Sequence, residues 1–176
     1  MITDAASPPQ TADNPLLAAW DTPFQAPPFA AIQPEHFGEA FEAAFAAHRG
    51  EIAAIAGETA APSFDNTVAA LECSGRILSR VAAAFFALIG AHSNAPLLAL
   101  ERDLVPRLTA HWDAIYMNPA LFRRIAALHH DPAGLSPEQA RVLERYFVTF
   151  RRAGAHTLSS RPRAAAGVLA MASSSR

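Results

Sequence analysis

From Pro34 to Phe150 the apolar residues recur every three or four positions, in five segments that are each opened by a proline or a capping residue. That spacing lines one face of a helix, and no run between turn signals shows the period of two that a strand needs. An all-α fold is expected, an antiparallel bundle of about five helices. Hydrophobic residues make up 51% of the 176 residues, enough for a real core and too many for a disordered chain.

The boundaries can be placed by their chemistry. Proline suits a first helical turn, so a helix is expected from Pro34 to near Gly57, with Phe37, Phe41, Ala44, His48, Ile52 and Ile55 on one stripe. A second is expected from about Asp65 through Ile89, its stripe passing through Val68, Leu71, Gly75, Leu78, Ala82 and Phe85. Its small residues Gly75, Ala82 and Ala83 would admit a close neighbour. Asn94 is placed to cap a third, with Leu97, Leu100, Leu104, Leu108, Trp112 and Ile115 inward. Pro106 lies inside that pattern and is expected to kink or split it near Val105. Asn118-Pro119 opens a fourth helix, which Asp131-Pro132 ends, and Ser136-Pro137-Glu138-Gln139 reads as the capping box of a fifth.

Ahead of the bundle, Pro15, Pro23, Pro27 and Pro28 predict an extended proline-rich arm over residues 14–33. Its Leu16, Leu17, Trp20, Phe24 and Phe29 need cover, so the arm is expected to lie across helices. Residues 1–13 read as a disordered leader that is not a secretory signal. The longest apolar run, Val81 to Ala91, is about half of the roughly 20 residues that cross a bilayer, so no membrane span is expected.

Several chemistries find no pattern here. The net charge of −2 and the lack of a basic face in the first 144 residues argue against nucleic acid. Cys73 has no cysteine to pair with and is expected to be a small buried apolar residue in a reducing compartment. Glu35, Glu39 and Glu42 have the spacing of a solvated helix face. His48 falls on an apolar stripe and reads as a core or interface histidine. His129-His130-Asp131 is the nearest approach to a metal cluster, but adjacent helical residues point about 100° apart and rarely reach one ion. No H-E-x-x-H, exposed nucleophile turn or phosphate loop occurs.

The segments Asn14-Pro-Leu-Leu, Trp20-Asp-Thr-Pro-Phe24, Pro28-Phe29, Ile32-Gln-Pro-Glu-His-Phe37, Phe64-Asp-Asn-Thr67, Ala70-Leu-Glu72, Gly75-Arg76, Asn118-Pro-Ala-Leu-Phe122 and Glu138-Gln-Ala-Arg-Val-Leu-Glu144 occur in the order seen in one family. Over residues 14–155 the chain resembles the amino-terminal helical region of the thimet oligopeptidase, oligopeptidase A and peptidyl-dipeptidase family of zinc metallopeptidases. The resemblance implies that this region helps to wall a deep channel admitting short peptides. It also implies zinc in the full-length protein, held by two histidines and a glutamate in the carboxyl-terminal part of a longer chain. No position here matches those ligands, so no catalytic, cofactor-binding or metal residue is assigned, and the chain alone is expected to be inactive.

After Glu144 no acidic residue follows, while Arg145, Arg151, Arg152, Arg161, Arg163 and Arg176 accumulate. Residues 156–176 are expected to be a non-family basic tail, from a shifted reading frame or, alternatively, a natural disordered tail. Two functional readings result. One is the channel-forming front of a cytoplasmic peptidase; the other is a non-enzymatic helical interaction module. Both predict exposed apolar helix faces, through which the chain would join a catalytic half or itself.

Overall fold

The computed structural model describes residues 14–92 and 94–155. The leader expected over 1–13 and the tail expected over 156–176 lie outside them. The bundle consists of α1 (Pro34–Gly57), a π-helical turn (Phe64–Ala69) running into the short α2 (Ala70–Cys73), α3 (Arg76–His92), α4 (Ala95–Tyr116), α5 (Pro119–His130) and α6 (Pro137–Arg152). Five of these run from 12 to 24 residues, and no strand occurs among the described residues, as the apolar spacing predicts.

The helix starts follow the capping chemistry. The Asn94 side chain accepts the Leu97 N–H at 3.0 Å, and that of Asn118 accepts the N–H groups of Ala120 and Leu121. Ser136 and Gln139 satisfy each other's backbone N–H, a reciprocal box. At α1 an imidazole does part of this work: His36 Nδ1 accepts the Gln33 N–H at 3.0 Å.

Three expectations are corrected. The second helix is not continuous from Asp65 to Ile89, because Ser74 is extended and Gly75 has φ 68. Only glycine adopts that φ freely, and the Glu51 carboxylate accepts the Gly75 N–H at 2.6 Å, so a side chain on α1 holds the break in place. Of the kink or split expected at Pro106, the split does not occur, and α4 runs through it as one helix. Pro106 lies on the exposed side, where the carbonyl one turn back can bond to water. Nor is the arm over 14–33 an extended strip; it is a series of turns. The Asn14 carbonyl accepts the N–H groups of Leu17 and Ala18, and Pro23–Gln25 form a 3₁₀ turn with Phe24 and Gln25 at φ 58 and 54. Leu16 is fully buried on the helices, but Phe24 is fully exposed and Phe29 is 44% exposed. The Trp20 indole N–H donates to Pro15 O at 2.8 Å, and the Arg80 guanidinium lies 4.8 Å over its ring.

Within Phe64–His92 an 18-residue stretch reaches a mean hydropathy of 1.4, apolar and long enough on composition to cross a bilayer. They do not form one helix. The turn at Ser74–Gly75 leaves α3 with 17 residues, about 25 Å, short of the roughly 30 Å hydrocarbon layer, and Leu78, Val81, Ala84 and Phe85 face the core.

The interior divides in two. The first core joins Leu16 and Ile32 to Phe37, Phe41, Ala44 and Phe45 of α1, Leu78, Val81 and Phe85 of α3, and Leu97 and Leu104 of α4. The second joins Ile52 of α1 and Ile115 of α4 to Val68, Leu71, Leu121, Ile125, Leu128, Leu143 and Phe150. Both α1 and α4 run through the two.

Candidate functional site

Between Phe45 in the first core and Ile52 in the second, α1 carries His48. Between Leu104 and Ile115, α4 carries His111. The two imidazoles meet at this seam, His111 Nε2 lying 3.0 Å from His48 Nδ1. His48 Nε2 lies 3.2 Å from Ser74 Oγ, and the Ser74 hydroxyl donates to Leu71 O at 2.7 Å. His48 is 2% exposed, and a Cβ placed on Gly75 would come within 2.7 Å of its ring. The glycine that breaks the second helix therefore makes room for the histidine.

Aromatic groups surround the pair. Phe45 lies 5.0 Å from His111, and Trp112 stands edge-on to His48 at 5.4 Å and to His111 at 6.0 Å. Burial lowers the His48 pKa, and Glu51 opposes the shift. His111 is also lowered, first by burial, then by His48 and Arg49. Both rings favour the neutral form.

On the open side of His111, a cleft of about 550 Å³ between α1 and α4 has an apolar floor of Phe45, Ile52 and Ile115, with Arg49, Arg107 and Asn118 at its edge. Arg107 is bonded to Glu42 and, at 3.3 Å, to Asp103. The cleft thus has two guanidiniums at its rim, one of them already paired with carboxylates.

Elsewhere in the bundle, Arg124 is 7% exposed, with the Glu58 carboxylate near enough to feel its charge. Its Nη1 donates to the carbonyls of Glu58 and Ala60 at 2.7 and 3.2 Å, its Nη2 to Asn66 Oδ1 at 2.8 Å and its Nε to Thr67 Oγ1 at 3.3 Å. One side chain of α5 thus ties down the loop that follows α1.

The residues weighed in the sequence fall as follows. His48 is the buried interface histidine expected, but its bond to His111 was not foreseen. The signal lay in the sevenfold spacing Leu97, Leu104, His111, which puts an imidazole on the inward stripe of α4, where Trp112 was expected instead. Trp112 is 37% exposed. Cys73 is a correction: it is exposed at the end of α2, where Leu71 takes the inward position. His129 stacks on Phe147 with ring centroids 3.9 Å apart and meets Glu144 at 2.6 Å, turned from His130 towards α6. The acids of α1 do not pair: Glu39 accepts from Asn14, Glu42 from Arg107, and Glu35 is exposed. Among the described residues no group of three or more His, Cys, Asp or Glu is placed to hold a metal ion. The described side chains do not fit a zinc site.

No protein-family model matches the chain. It is similar to a dipeptidyl carboxypeptidase of Salmonella typhimurium strain LT2, with 41% identity over 144 residues, 81% of this chain and 21% of the relative. It is similar also to a dipeptidyl carboxypeptidase of Escherichia coli strain K12, with 38% identity over 147 residues, 82% of this chain and 22% of the relative. The helical stretch built around the histidine seam is thus homologous to part of the dipeptidyl carboxypeptidases, and the chain spans about a fifth of their length.

Proposed function

We propose that this chain is the channel-forming, non-catalytic part of a peptidyl-dipeptidase-like zinc metallopeptidase, shaping the access of short peptides to a hydrolytic centre supplied from outside this stretch. The observation that carries the reading is the homology to dipeptidyl carboxypeptidases, set beside an apolar stripe left partly exposed on α4. Leu98, Val105 and Trp112 recur every seven residues along the exposed side of that helix. Seven residues are close to two helical turns, so the three form one ridge, and such a ridge in water marks a surface built to be covered. The zinc and its ligands, on this reading, belong to the remainder, and by itself the chain has no peptidase activity. The lone exposed Cys73 suits a reducing cytoplasm.

The test is complementation. The 176-residue chain is mixed with a separately expressed remainder of a dipeptidyl carboxypeptidase, beginning after the homologous stretch, and release of dipeptides from a short peptide is followed with zinc present. Cleavage that requires both pieces is the expected result. Absence of any binding between them would remove the reading. Binding without cleavage would favour the second reading, a helical interaction module, which rests on the same partly exposed ridge.

A further inference from the structure

The histidine seam has a direction. Leu71 O can only accept, so the Ser74 hydroxyl spends its single proton there, and His48 Nε2 must bring the N–H to Ser74 Oγ. In the neutral ring Nδ1 is then a bare lone pair. His111 Nε2 must therefore donate to it across 3.0 Å. The chain runs from His111 to His48 to Ser74 to Leu71, and it joins α4, α1 and the turn between α2 and α3.

This ordering fixes what added protons do. The first can reside on His111 Nδ1, leaving its Nε2–H donating and the chain intact. A second, on His48 Nδ1, consumes the lone pair that received the bond. Two N–H groups and two cations then face each other.

We propose that the pair is an acid-released clasp, which holds α4 and the Ser74–Gly75 turn against α1 while the two rings share at most one added proton and lets go when both are charged. The charged groups acting on the pair are Glu51 and Arg49 of α1, while Arg107 of α4, one turn from His111, lines the same cleft with its guanidinium held by Glu42 and Asp103; the Ser74–Gly75 turn brings a hydroxyl and a backbone N–H. Glu51 is itself engaged by the Gly75 N–H at 2.6 Å, so the same turn is tied twice to α1.

Both imidazoles are shifted below the ordinary value of about 6.5, so the unfolded chain takes up protons before the folded one does. The clasp's contribution is full above about pH 6.5 and is lost as pH falls through the lower folded values.

Two measurements on the full chain test the clasp. Ring-nitrogen NMR at pH 8 is expected to show His48 protonated on Nε2 and bare at Nδ1, and on acidification the Trp112 indole signal should shift with the second proton taken up by the pair. A His48 proton on Nδ1 at pH 8, or both rings charging above pH 6.5 with the Trp112 signal unmoved, overturns the proposal. In urea unfolding, the wild-type midpoint should fall more steeply between pH 6.5 and 5 than that of His111→Gln, which keeps a donor but cannot charge. Equal slopes also overturn it, and should the variant not fold, the NMR titration decides alone.

Discussion

The two cores solve the same packing problem with different materials. In the first, Phe37 and Phe41 of α1 meet Phe85 of α3 edge-on, with centroids 5.0 and 5.5 Å apart. The second has its own aliphatic and aromatic contents, yet it is closed by a buried guanidinium that bonds to loop carbonyls and to polar side chains at the start of the π-helical turn. The difference follows from what each must hold. Around the first core, long helices bring their own satisfied backbones, and a guanidinium is needed only to tie down the arm, where Arg80 donates to the Leu16 and Leu17 carbonyls at 2.9 and 3.2 Å. The second must fix the loop between α1 and the π-helical turn, whose free carbonyls need donors. Arg124 supplies four N–H bonds at that point, at the desolvation cost of one buried charge.

The contrast can be broken from either side. Phe85→Ala removes the ring shared by Phe37 and Phe41 and should cost about 3–5 kcal/mol, a loss visible as a lowered urea midpoint with the slope unchanged. Arg124→Ala acts on the other core by a polar route. It should cost about 2–3 kcal/mol, with amide exchange accelerated first in residues 58–67 and only later in α3. Gly75→Ala strikes the seam. The strained φ alone should cost about 1–3 kcal/mol, and the new Cβ must displace the His48 ring, so the His48 NMR signal should move even where the fold survives. The mildest is Asn118→Ala, which uncaps α5 for about 1 kcal/mol and should lower the thermal midpoint without altering exchange in the first core.

Much of this architecture was legible because it is local. Asn94, Asn118 and Ser136 cap the helices that follow them, and a cap is decided within four residues. The break at Ser74–Gly75 was not, because the stripe through Val68, Leu71, Gly75 and Leu78 reads on without interruption. What fixes the break is Glu51, 24 residues away in the chain. The His48–His111 bond spans 63 residues, and each histidine by itself is an ordinary inward residue. Proline misled at the arm for a different reason: its fixed φ near −65° serves extended chain and the first position of a turn alike, so its presence cannot choose between them. Cys73 was misjudged for its residue type: two positions on from Leu71, about 200° round the helix, it faces away from the buried stripe whether or not the helix breaks.

Because α1 passes through both cores, its length between them is a fixed quantity. Phe45 and Ile52 are seven residues apart, close to two turns, and Leu104 and Ile115 of α4 are eleven apart, close to three, so each helix turns one face to both interiors. One residue inserted between Phe45 and Ile52 would rotate the rest of α1 by about 100° and carry Ile52 out of its core. Substitutions here are absorbed one side chain at a time, but an insertion or deletion must come close to a whole number of turns on both helices at once. The pair of rods therefore acts as a gauge: changes of surface or of loop length leave the distance between the two interiors as it is, and changes of helix length do not.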